Sequence, residues 1–82
     1  MEYKEKLFEI IAGLSVVSKK NIELEDEFAH IGIDSLKIVE LIVKIEDEFN
    51  IKFEDSELNP VKLLFVKNIV NLTEKYVLAG VE

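Results

Sequence analysis

Apolar side chains recur at spacings of three and four in three separate stretches of this chain, and no segment shows the sustained two-residue alternation of a half-buried strand. The first stretch is Tyr3, Leu7, Ile10, Ile11, Leu14 and Val17, with Lys4, Glu5, Lys6 and Glu9 on its other face. The second runs through Ile38, Leu41, Ile42, Ile45 and Phe49, and the last through Phe65, Ile69, Leu72 and Tyr76, widened by Val66, Val70 and Val77. A helix with one apolar stripe must bury that stripe, and in 82 residues the partners available are the other helices. The expected fold is all-α: a four-helix bundle of three longer helices and one short third helix, forming a single domain over residues 1–82.

Composition narrows the function. Hydrophobic residues make up 49% of the chain, enough to form a core, so the charge is a surface property and not a mark of disorder. Seventeen acidic residues against ten lysines leave a net charge of −7, which repels phosphate backbones and favours partners with basic surfaces. Nucleic acid is therefore not an expected partner. With no cysteine there is no disulfide, no thiolate nucleophile and no cysteine-bound zinc. Met1 to Lys6 reads as charged helix and not as the start of a signal peptide, and no apolar run approaches the roughly 20 residues of a membrane span. A cytoplasmic monomer is expected.

Between the first two stretches, from Ser18 to Asp34, the periodicity fades into a long loop with an acidic group at Glu23, Glu25, Asp26 and Glu27. Leu24, Phe28 and Ile31 are its expected apolar anchors. The acidic group lacks the ligand alternation, mid-loop glycine and closing glutamate of a calcium loop, so no metal site is expected. Asp34 is the expected N-cap of a helix from Ser35 to Phe49. Further on, Asn59-Pro60 fits an N-cap followed by proline at the first position of a short helix or turn, and Gly80 fits the stop of the final helix.

Advancing 100° per residue sorts the second helix into two apolar arcs. Ile38, Leu41, Ile42, Ile45 and Phe49 form a broad arc suited to the core, whereas Leu36, Val39 and Val43 form a narrower one among Glu40, Asp47 and Glu46. A helix needs only one buried stripe. The second arc either packs under the long loop or the short third helix, or stays exposed as a docking surface for a partner with apolar pockets and basic residues. Ser35 stands at the head of that arc, reachable by another enzyme, and on these grounds is either a helix cap or an attachment point.

The run Ile31-Gly32-Ile33-Asp34-Ser35-Leu36, followed by Val39-Glu40-Leu41 and Glu46-Asp47-Glu48-Phe49, resembles the acyl carrier protein family and its relatives the peptidyl carrier domains, over most of the chain. The resemblance implies that a phosphopantetheinyl transferase moves the 4′-phosphopantetheine arm of coenzyme A onto Ser35. It implies a carrier rather than an enzyme, whose cargo rides as a thioester through fatty-acid, polyketide or related biosynthesis. Asp34 would support the transferase's metal-assisted transfer or cap the helix. Leu36, Val39, Glu40 and Val43, with Glu46 and Asp47, correspond to the face read by acyl-transfer, condensing or adenylating enzymes.

Several residues depart from the family's common pattern. Lys37 and His30 stand where acids are common, which makes the field near Ser35 less negative. Residues Pro60 to Val66 are slightly long and lack the serine or threonine that often caps the last helix. These departures lean toward a specialised carrier, with an aminoacyl or peptidyl carrier of a peptide or surface-modification pathway as the alternative, and an acidic helical adaptor that docks through the second helix while Ser35 serves only as a cap as the non-carrier one. A catalytic reading finds one histidine, His30, and no glycine-rich phosphate loop.

Overall fold

The structure is a computed structural model that describes residues 3–79. Helix α1 spans Tyr3–Leu14, α2 Ser35–Phe49 and α3 Val66–Ala79. The expected stop at Gly80 lies outside the described residues, as do Met1 and Glu2 of the charged start. Each helix turns its predicted stripe inward. Leu7 and Ile11 of α1, Leu41 and Ile45 of α2, and Val66 and Ile69 of α3 are completely buried and meet in one core. Removing each such aliphatic side chain from water contributes about 1.5–3 kcal/mol.

The short third helix differs from its expected form. Among the described residues there are three α-helices, and between α2 and α3 the chain makes two short 3₁₀ segments, Asp55–Glu57 and Pro60–Leu63. Asn59 caps the second, its Oδ1 accepting the Val61 N–H at 2.8 Å, with Pro60 at the first position where no N–H is needed. Four residues are too few for an α-helical hydrogen-bond ladder, so the tighter 3₁₀ geometry results. Helix α3 begins without a serine or threonine cap because Asn68, at its third position, reaches back to accept the Phe65 N–H at 2.8 Å, one half of a capping box.

The connection from α1 to α2 contains two 3₁₀ turns, Lys19–Asn21 and Phe28–Ile31. Phe28 and Ile31 anchor it as expected, together with Ile22 and Ile33, which the sequence reading did not single out. Leu24 is the exception: its side chain is exposed and it holds the loop through its backbone, its carbonyl accepting the Lys67 N–H at 3.0 Å. The Val66 N–H to Asp26 and the Phe28 N–H to Leu64 complete this seam, at 2.9 and 3.1 Å, around a single antiparallel bridge between Glu27 and Phe65. The loop is thus fastened to the start of α3, which holds the entry to α2 in place.

Candidate functional site

At that entry, Gly32 takes a φ of +87°, and a Cβ there would come within 2.8 Å of Val16 Cγ1, so the turn requires glycine on two counts. Ile33 is buried and pins the chain on the core side, after which Asp34 and Ser35 emerge exposed. Asp34 caps α2, its Oδ1 accepting the Lys37 N–H at 3.0 Å. Ser35 is the first residue of the helix, beside backbone N–H groups and the positive end of the helix dipole, where an attached anion is favoured. An exposed hydroxyl at a capped helix start fits a phosphodiester without rearrangement of the fold.

The two arcs of α2 separate as their angles require. Leu41, Ile42 and Ile45 are buried and Ile38 and Phe49 pack partly against them, whereas Leu36, Val39 and Val43 are 81%, 60% and 50% exposed. The loop and the 3₁₀ segment therefore leave the second arc uncovered. Glu40 and Asp47 are exposed beside it, and Lys44 is exposed as well. Glu46 behaves differently: it is half-buried, and its Oε2 accepts the Phe53 N–H at 2.9 Å, tying the segment after α2 to the helix that precedes it. His30 is exposed, with Nε2 3.9 Å from Glu27 Oε1.

A groove of about 460 Å³ begins beside Ser35, formed by residues too far apart in the chain for any local pattern to signal it. Ile38 and Ile42 line one side, Leu63 and Leu64 the other, and Phe53 and Leu58 lie along the segment after α2. Its α2 wall extends from Ser35 to Glu46, about 16 Å at 1.5 Å per residue. That segment is also held to α3. The Tyr76 hydroxyl accepts the Glu54 N–H at 3.2 Å and donates to Glu57 Oε1, Lys75 Nζ lies 2.5 Å from Glu57 Oε2, and the Phe53 and Tyr76 rings meet edge to face at 5.1 Å. The Lys75 hydrogen bond, then that of Tyr76, holds the Glu57 carboxyl below its usual range, and Glu57 in turn pushes the Lys75 ammonium and the Tyr76 phenol up.

Comparison with known proteins gives the family. The family model described as the phosphopantetheine attachment site matches residues 5–62. The chain belongs to the acyl carrier protein family. It is 41% identical to an acyl carrier protein homolog of Mycoplasmopsis pulmonis over 66 residues, covering 80% of this chain and 88% of that one. An acyl carrier protein of Chlorobium phaeobacteroides is 36% identical over 61 residues, covering 73% and 78%. The crystal structure of an acyl carrier protein from Thermotoga maritima superposes with a TM-score of 0.77 at 28% identity, covering 96% of this chain and 94% of the other. As a member of this family the acyl carrier is not an enzyme. It bears phosphopantetheine and works through the transferase and other enzymes that act on the loaded arm. No described helix of the carrier is long and apolar enough to cross a membrane.

Proposed function

We propose that Ser35 is the attachment residue, on the observation that carries the reading furthest: an exposed hydroxyl at the first position of a capped helix, with an apolar groove opening beside it. In the transfer, the Ser35 Oγ attacks the phosphate of coenzyme A that bears pantetheine. The new O–P bond forms as the phosphoanhydride bond breaks, the hydroxyl proton passes to the transferase's base, and the adenosine bisphosphate leaves. Asp34 holds the helix start in place while this happens. The thiol of the attached arm supplies a thioester for the cargo, which is how a chain without cysteine does thiol chemistry.

Leu36, Val39 and Val43 form the contact stripe for partner enzymes, and Glu40 and Asp47 meet basic residues at its rim, with Glu46 divided between this face and its bond to Phe53. The cargo reading is acyl. A groove lined largely by isoleucine, leucine, valine and phenylalanine stabilises a hydrocarbon by about 0.8 kcal/mol per buried methylene, which favours a long acyl chain over the shorter side chain and polar amine of an aminoacyl group. The Pro60–Leu63 segment fills the role of the short third helix, closing the groove opposite α2. The working protein is then a cytoplasmic, monomeric, single-domain carrier.

Incubation with coenzyme A and a broad-specificity phosphopantetheinyl transferase is expected to add the mass of one arm to the intact chain and none to Ser35→Ala. An unchanged wild-type mass alongside a modified control carrier would count against the reading, and an arm on Ser35→Ala would displace the site.

A further inference from the structure

The far end of the groove is not formed by the helices alone. Phe53 stands there, 2% exposed and bound through its N–H to Glu46 Oε2 at the last turns of α2. Its ring rests edge-on against Tyr76, whose hydroxyl joins the backbone of Glu54 to the carboxylate of Glu57, and Lys75 takes the other oxygen of that carboxylate. Segment 53–58 is thus a strap whose groove face consists of Phe53, Asp55 and Leu58 and whose outer face is fastened to α3.

We propose that the Tyr76–Glu57–Lys75 clasp sets how well the groove shelters long cargo, making Tyr76 a positioning residue for acyl chain length; this rests on the reading that the groove receives the acyl chain. With the arm folded back so that cargo enters from the Ser35 end, a short chain stops before the strap and is indifferent to it. A long chain reaches Phe53 and needs that wall in place. Releasing the clasp leaves the helices packed but lets the strap swing from the far end, so the loss grows with cargo length. A clasp that served the fold alone would weaken every loaded form equally.

The test uses the arm-bearing protein uncharged, charged with butyrate and charged with dodecanoate, in wild type, Tyr76→Phe and Glu57→Ala. Tyr76→Phe keeps the ring against Phe53 and removes only the hydroxyl, and Glu57→Ala removes a half-buried carboxylate that lies outside the helical core, so both should fold. Two quantities are read: the melting temperature, and the rate at which hydroxylamine cleaves the thioester. In wild type the dodecanoyl form is expected to melt higher and to be cleaved several-fold more slowly than the butyryl form. In both variants that gap should shrink by half or more while the butyryl rate stays within twofold of wild type. A wild-type gap that persists unchanged in the variants overturns the clasp while leaving the cargo site standing. Equal behaviour of the butyryl and dodecanoyl forms in wild type overturns the groove reading, and the clasp with it.

Discussion

Gly32 and Asp34 lie on either side of a single buried isoleucine, and between them they determine where α2 starts. Gly32 turns the chain at a φ of +87° against Val16, and Asp34 receives the Lys37 N–H. Gly32→Ala is expected to cost about 1–2 kcal/mol, the penalty of a left-handed L-residue, with the Val16 contact adding to it. Urea unfolding would show it as a lower midpoint at unchanged slope. A midpoint equal to that of wild type would mean that the turn does not need glycine. The cap at Asp34 was legible in the sequence because capping is local. The dual role of Tyr76 was not: its place in the α3 stripe read as core, and its hydroxyl finds Glu54, 22 residues away, only after folding.

At the scale of elements, α2 carries two apolar arcs, one buried and one exposed, and both were legible because a 100° step per residue needs nothing but the sequence. The short third element was not legible as 3₁₀, since proline and asparagine mark a start without marking which helix follows. The loop before α2 showed the same limit. Its apolar anchors at Phe28 and Ile31 were visible, but the backbone seam joining Leu24, Asp26 and Phe28 to the start of α3 involves no side-chain signal at all. Leu36→Asp is expected to lower kcat/KM for phosphopantetheinyl transfer about tenfold or more, while stability changes by less than about 1 kcal/mol because Leu36 is 81% exposed. Normal transfer into a poorly folded variant would instead assign Leu36 to the core.

For the whole molecule, charge and titration follow from where the polar groups are held. Both tyrosines resist ionisation: burial, then Glu74, raises Tyr3, and the hydrogen bond to Glu57, then burial, raises Tyr76. A phenol whose folded pKa lies above its unfolded value stabilises the fold fully below the unfolded value near 10, and that contribution is lost as pH rises through the folded value. Glu57 runs the other way. Its depressed carboxyl stabilises the fold above an unfolded value near 4.5, and this is lost as pH falls through the folded value. Phenolate absorbance of the folded protein at pH 10 is therefore expected to be below half of its final value, and a midpoint at or below that of the denatured chain would contradict the clasp at Tyr76.

Trypsin offers the most direct check on the attachment site. Cleavage after Lys20 and Lys37 releases a peptide, Asn21 to Lys37, in which Ser35 is the only residue with an aliphatic or phenolic hydroxyl. After reaction with coenzyme A and the transferase, the mass of one phosphopantetheine arm should appear on that peptide and on no other. An arm mapped to the peptides holding Ser15, Ser18 or Ser56 would contradict the account, as would an Asn21 to Lys37 peptide of unmodified mass from a chain whose intact mass had increased.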